Sequence, residues 1–407
     1  MSHTNKLKII NDPVYGFITI PSAFIFDILE HPDFQRLRRI SQLGLTYLVY
    51  PGAYHTRFHH ALGALHLMQK AVSTLKHKGT EINSEEEEAV YIAILLHDIG
   101  HGPFSHALEN SIIPNISHED LSLEFMRSLN EEFKGKLSLA IEIFQNKYPK
   151  KFLHQLISSQ LDMDRLDYLR RDCFYTGVSE GNVNSERLIS MLNVADDQIV
   201  VDAKGIYSVE KFIVARRLMY WQVYLHKTVL GAEYLLIQIL RRARMIYSPD
   251  MKMPAVLHPF LGGNIPTNKI HLVKLYAELD DYDVMAAIKE WRHHEDPTLS
   301  NLCQRILDRE LLGVEMAKKP WTQDAINKLR EFAIEKHQYS KEEAEFLIFQ
   351  HRITNNAYNS TKDRICLLYK DGSLVDIAEA ADQLNISALT ETVVKYFLFA
   401  PKPILNA

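Results

Sequence analysis

A nearly unbroken apolar run, Ala89-Val90-Tyr91-Ile92-Ala93-Ile94-Leu95-Leu96, ends abruptly in His97-Asp98-Ile99-Gly100-His101-Gly102-Pro103. A run with no polar face reads as a buried helix, so a sizeable core must surround it. The run carries a His-Asp pair into that core. Burying such a pair is costly unless something binds it, and a divalent cation is the simplest partner. Two glycines and a proline then turn the chain sharply away.

The chain has 407 residues, 46% of them hydrophobic, enough for one large helical domain or for two or three smaller ones. A net charge of −5 argues against a globally basic nucleic-acid binder and leaves room for a local basic pocket. Cys173, Cys303 and Cys366 are too widely spaced for a disulfide framework or a cysteine zinc site, which fits a reducing cytoplasm. Many of the 19 histidines cluster between His55 and His118. The polar stretch Met1 to Ile10 suggests no signal peptide. The longest apolar runs, Ala89 to Leu96 and Tyr234 to Leu240, are too short to span a bilayer.

Taken in order, Lys8 to Pro21 reads as a hairpin turning at Asn11-Asp12-Pro13 and Gly16. Helices follow from Pro21-Ser22, over Asp33 to Leu43 with a basic stripe Arg36, Arg38 and Arg39, and from Thr56 to about Leu75. Ser84 caps the helix that ends at His97-Asp98, and Ser117 caps one that runs to Leu129. Phe152 to Asp172 reads as one helix. A small hairpin is expected over Ile199 to Ala203 and Ile206-Tyr207, around Lys204-Gly205, before one long helix from about Ser208 to Ile246. The Pro- and Gly-rich stretch Pro249 to Pro266 is the best break. Beyond it come shorter helices, including Asp281 to Trp291, and strands at Phe346 to Thr354 and Ile365 to Tyr369.

His60, His97, Asp98 and Asp164 make a metal set delivered by three converging helices. Two imidazoles and two carboxylates suit a divalent ion such as Mn, Fe, Mg, Ni, Co or Zn, one able to polarise a phosphoryl oxygen or acidify a water. A lone buried histidine is more often a core residue. The upstream His60 and the downstream acidic helix weigh toward ligands. His101, His106, Glu109 and His118 follow closely, and imidazoles there can donate to phosphate oxygens or protonate a leaving alkoxide. Arg57, Arg165, Arg216 and Lys227 are candidate phosphate partners. Arg57 lies one turn before His60, and Arg216 and Lys227 are eleven residues apart on the expected long helix.

Arg57-Phe58-His59-His60-Ala61-Leu62-Gly63, Leu96-His97-Asp98-Ile99-Gly100-His101-Gly102-Pro103-Phe104-Ser105-His106 and Asp162-Met163-Asp164-Arg165-Leu166-Asp167-Tyr168 resemble the H…HD…D set of the HD-domain phosphohydrolases. More narrowly they are similar to the deoxynucleoside triphosphate (dNTP) triphosphohydrolase branch, including the vertebrate SAM-and-HD-domain dNTPase, although no SAM domain is visible here. The likeness runs from Asp12-Pro13-Val14-Tyr15-Gly16 to about Lys227. It implies metal-dependent hydrolysis of a dNTP to deoxynucleoside and inorganic triphosphate. In that reading His60, His97, Asp98 and Asp164 hold the metal. His106 is the acid for the leaving 5′-oxygen, with Glu109 orienting it, although the family often has Asp there. His101 and His118 contact the α-phosphate, and Arg57, Arg165, Arg216 and Lys227 clamp phosphates. Gln42, Leu43, Tyr168 and Asp172 read the deoxyribose, and Tyr224 lies near the base. Glu30, Gln35, Arg38 and Arg187 match positions that bind an activating nucleotide between subunits of regulated members, and a homotetramer or homodimer is implied.

The expected fold is therefore mostly α: an HD-domain helical bundle with a short N-terminal hairpin and a C-terminal mixed α+β lobe. Residues 1–248 would form the catalytic core and 249–407 an oligomerisation or regulatory lobe. The alternatives are an HD phosphohydrolase or phosphodiesterase acting on another nucleotide, and a non-catalytic nucleotide-binding scaffold.

Overall fold

The computed structural model describes residues 8–108, 112–113, 115–355, 358–359, 364–381, 386 and 392–405, excluding the side chains of 106 and 107. The fold is mostly α, as the sequence pattern requires. The apolar run forms the helix Ser84–Leu96, and every side chain from Ala89 to Leu96 is buried. Each buried Leu or Ile contributes about 1.5–3 kcal/mol relative to exposure. The cap is Asn83 rather than Ser84. Its side chain accepts the Glu85 and Glu86 N–H groups at 3.0 and 2.9 Å, and Glu86 returns to the Asn83 N–H at 3.0 Å. This helix packs against Arg57–His77, which in turn packs against Met163–Thr176.

Four local expectations need correction. The Asp33 to Leu43 segment is a short helix, Pro32–Gln35, continued by a 3-10 turn, Arg36–Arg39, and Arg36 is fully buried rather than part of a basic stripe. Phe152 to Asp172 is two helices, Lys151–Gln155 and Met163–Thr176. Asp162 makes the break: its carboxylate accepts the Ser159 N–H and, as N-cap, the Arg165 N–H, both at 2.7 Å. The small hairpin pairs Leu192–Ala195 with Gln198–Asp202 around Asp196-Asp197, both left-handed. Two consecutive positive φ values suit a tight hairpin turn, and Asp tolerates them better than most residues. The long helix is really Ile206–Met219, a wider π-helical turn Tyr220–Tyr224, and Lys227–Met245, which is capped by His226.

Gln198–Asp202 also pairs in parallel with Cys366–Leu368, and Leu374–Asp376 closes that four-stranded sheet. Strands from both halves of the chain thus share one sheet. A three-stranded sheet places Val393–Ala400 between Gly313–Ala317 and Phe349–Asn355. Its central strand went unrecognised in the sequence. The helix Asp281–Trp291 docks beside the N-terminal region: Arg36 Nε donates to Leu279 O at 2.9 Å, and Arg39 pairs with Asp280. Among the described residues no helix is long and apolar enough to cross a membrane.

Candidate metal centre and substrate pocket

His60 lies one turn into Arg57–His77, His97 and Asp98 follow the end of Ser84–Leu96, and Asp164 sits in the first turn of Met163–Thr176. The structure brings His60, His97 and Asp164 together as one group able to hold an ion, and sets Asp98 beside both histidines. His60 Nε2 is 3.4 Å from His97 Nε2, 3.1 Å from Asp164 Oδ1 and 3.5 Å from Asp98 Oδ2. His97 Nε2 is 3.4 Å from Asp98 Oδ1 and 3.6 Å from Asp164 Oδ1. At metal–ligand bonds of about 2.0–2.2 Å, neighbouring ligand atoms stand roughly 3.0–3.5 Å apart, so this donor set fits a divalent ion.

The outer nitrogens explain why the inner ones face each other. His97 Nδ1 is 2.7 Å from Ile94 O, and His60 Nδ1 is 2.7 Å from Asp167 Oδ2. Each outer acceptor fixes a tautomer and leaves Nε2 as the ligand atom. Asp167 is fully buried and also takes the Arg171 guanidinium, with Nε at 3.0 Å from Oδ2 and Nη2 at 3.0 Å from Oδ1. Arg171 Nη1 continues to Asp12 Oδ2 at 2.7 Å, and Asp12 Oδ1 accepts the Val14 and Tyr15 N–H groups. A buried relay therefore runs from the N-terminal hairpin to a ligand. Gly63 permits it, because a Cβ there would stand 1.9 Å from Asp167 Oδ1 and 2.2 Å from Arg171 Nη2. Sequence reasoning assigned no role at the metal centre to Asp167, Arg171 or Asp12. The spacing of 164, 167 and 171 along one helix face was the available signal.

The electrostatics favour a cation. Burial opposes a charged imidazole at His60, yet hydrogen bonds to Asp164 and Asp167 outweigh it and push the pKa up to about 10. His97 is raised in the same way, against burial, by Asp98 and Asp164. Burial would raise the Asp98 carboxyl, but His97 and Arg57 hold it well below the usual range. His60 thus holds a proton where an ion could sit.

Around the centre the expected residues divide. Arg57 donates through Nε to Ser105 Oγ at 2.9 Å and pairs through Nη1 with Asp98, so it braces a ligand. His101 stacks on His118 at 3.9 Å, and both gather with Asp98 in a second group able to hold an ion. Burial and the nearby Arg57 hold the His101 pKa well below its usual value. The backbone of His106 lies in the turn Ser105–Leu108; its side chain, and all of Glu109, lie outside the described residues. Arg165 pairs through Nη1 with Asp162 at 2.6 Å, while its Nε, Arg216 Nε and Gln42 Oε1 are buried with no hydrogen-bond partner among the described residues.

Leu43 and Tyr168 are half-buried, and Tyr168 meets Tyr224 edge-on at 6.2 Å. Asp172 accepts Tyr224 OH at 2.8 Å and contacts His55 Nε2 at 2.7 Å. His55, unassigned in the sequence reading, is stacked on Tyr175 at 4.4 Å. Lys227 is exposed, and Lys227, Arg217 and Lys318 lower the pKa of Lys395, after the effect of burial. The break at Tyr220–Tyr224 removes the continuous helix that had put Lys227 in register with Arg216. Gln35 donates to Leu29 O and accepts Arg38 Nε at 2.8 Å, and Arg38 covers the Phe58 ring at 3.6 Å. Glu30 and Arg187 are exposed.

Two buried histidines and two carboxylates at converging helices, with Arg57 on Asp98 and Arg165 next to Asp164, define a metal-dependent hydrolase of phosphate esters. Residues 57–172 match the family described as HD domain, and residues 183–252 the HD associated region. The crystal structure of a phosphohydrolase from Bacteroides thetaiotaomicron superposes with a TM-score of 0.92 at 50% identity, covering 97% of this chain and 100% of that one. YwfO of Bacillus subtilis is 37% identical over 314 residues, 75% of this chain and 71% of that protein. The deoxynucleoside triphosphate triphosphohydrolase SAMHD1 homolog of Dictyostelium discoideum is 34% identical over 254 residues, 58% of this chain and 49% of that protein. The chain belongs to the HD-domain phosphohydrolase family. It spans about half the length of the SAMHD1 relatives it matches.

Proposed function

We propose that this phosphohydrolase converts dNTPs to deoxynucleoside and inorganic triphosphate. The observation that carries the reading is a set of buried groups with no hydrogen-bond partner among the described residues: Arg165 Nε and Arg216 Nε, whose guanidinium groups act with Asp164 on Tyr168, and Gln42 Oε1. Unpaired buried polar groups are costly, and a polyphosphate with its sugar would satisfy them. The SAMHD1 relatives carry deoxynucleoside triphosphate triphosphohydrolase in their names, which supports the same substrate class.

In this reading His60, His97, Asp98 and Asp164 hold the ion. When bound, it supplies Lewis-acid polarisation of a phosphoryl oxygen and acidification of water. Arg165 and Arg216 take phosphate charge, Lys227 lies at the outer end of the polyphosphate, and His101 and His118 donate to the α-phosphate region. His106, oriented by Glu109, gives its proton to the leaving 5′-oxygen. Gln42, Leu43, Tyr168 and Asp172 form the sugar wall and Tyr224 borders the base. Glu30, Gln35, Arg38 and Arg187 would take an activating nucleotide in a homodimer or homotetramer, with 249–407 as the lobe that assembles it.

The test is a dNTP panel with Mn²⁺ or Mg²⁺, each nucleotide alone and in pairs, with products separated by ion exchange. Triphosphate with free deoxynucleoside is expected, as is its loss in His97→Ala/Asp98→Ala. Release of orthophosphate, pyrophosphate or monophosphate would instead indicate another HD phosphohydrolase reaction.

A further inference from the structure

Phe104 and Ser105, just before His106, have φ values of 54° and 52°. Two consecutive non-glycine residues in the left-handed region are costly and persist only where the surroundings hold them. The hold comes from the other half of the chain. Asp281 Oδ1 accepts the Phe104 N–H at 2.7 Å, and Asp281 Oδ2 accepts the Ser41 N–H at 2.8 Å. One buried carboxylate thus ties the loop that leads to His106 to the loop that carries Gln42 and Leu43.

The tie has further contacts. Ser105 Oγ donates to Ser41 O at 2.6 Å and accepts Arg57 Nε at 2.9 Å, and Arg57 pairs with Asp98. Phe104 O stands 3.0 Å from where a Cβ on Gly44 would lie, so the two loops touch closely. Helix capping does not account for Asp281. Asp280 is the N-cap, accepting the Tyr282 N–H at 3.0 Å, and Asp283 completes its capping box. Asp281 spends both oxygens on the two loops instead. A buried carboxyl placed so is costly unless those two amides meet it.

We propose that Asp281 is a positioning residue for the hydrolytic step: it locks the Phe104 backbone against Ser41 and so sets the turn that carries His106. The kinetic consequence rests on the function proposed above. The helix Asp281–Trp291 is thereby coupled to the site, so a shift of that helix changes rate before it changes binding.

The experiment compares the full-length parent with Asp281→Asn, which keeps shape and one acceptor but presents an amide N–H₂ to the second backbone N–H. For a dNTP, kcat is expected to fall roughly tenfold to hundredfold with KM changed less than about threefold. Bis(4-nitrophenyl) phosphate, whose aryl leaving group needs no proton, should keep its rate within about threefold. Parallel loss on both substrates, or no loss on either, overturns the proposal. If Asp281→Asn does not fold, Asp281→Ser, which leaves one hydroxyl for the two amides, must show the same split. Hydrogen exchange is read alongside: the Phe104 and Ser41 amides should exchange faster in Asp281→Asn, with the other helices unchanged. A parent that releases no triphosphate overturns the proposed function alone. The exchange arm then decides Asp281, and unaltered local exchange sinks it.

Discussion

His60 Nδ1 lies 2.7 Å from Asp167 Oδ2, and that carboxylate is shared with Arg171. The pair orients a ligand from behind, and its geometry sets what substitution should do. Asp167→Asn keeps the shape but cannot accept from both His60 and Arg171 through two oxygens. Outer partners of metal-binding histidines typically change affinity by about 10- to 100-fold. Competition against a chromogenic chelator should show metal affinity falling in that range, with the fold retained by circular dichroism. Unchanged affinity would mean His60 does not need Asp167 to present Nε2.

Gly63→Ala probes the same contact sterically. Its Cβ would enter the space held by Asp167 Oδ1 and Arg171 Nη2, neither of which is a loose chain end. Overpacking of this kind costs about 1–3 kcal/mol. Denaturant unfolding should show that loss together with weaker metal binding. A stability loss with metal affinity intact would separate the helix crossing from the ligand geometry.

Metal binding should expel protons. In the metal-free protein the His60 imidazole is raised to about 10, so near neutral pH it carries a proton that a metal ligand cannot keep, and His97 is shifted in the same direction. Calorimetric titration at pH 7 in two buffers of different ionisation enthalpy should report net release of about one to two protons, with affinity rising as pH rises. Binding without proton release would exclude one or both imidazoles from the ligand set.

Much of this centre was legible because its ligands occur in short, dense motifs. His97-Asp98 ends an apolar run, His60 stands one turn into the helix opened at Thr56, and Asp164 lies in the dense acidic motif Asp162-Met163-Asp164. The supports were harder to read. Arg171 and Asp12 are 159 residues apart, and only the fold places them in contact. Asp281 looks like any acidic residue at a helix start until its two loops are seen. The expected helices over 152–172 and 208–246 failed for a local reason: apolar periodicity continues across Asp162 and across Tyr220–Tyr224, while capping and a wider turn interrupt the hydrogen bonding. The strand Val393–Ala400 has polar Lys395 and Tyr396 amid apolar residues, and its pairing with two distant strands gave it no local signature.

Glu233, on Lys227–Met245, faces the same loops: its Oε1 is 3.8 Å from where a Cβ on Gly44 would stand. Burial alone, with no compensating cation, pushes its carboxyl from 4.5 up to about 8. Between those values the folded protein holds a proton that the unfolded chain has lost. Stability from this group therefore falls as pH rises from about 4.5 to 8 and levels off above. Glu233→Gln is neutral throughout and lacks that loss. Urea unfolding of both proteins at about pH 5, 6, 7 and 8 should show the variant gaining on the parent steadily across the window. Parallel stability curves would mean that Glu233 ionises at an ordinary carboxylate pH, with its charge solvated at the loop contact rather than suppressed by burial.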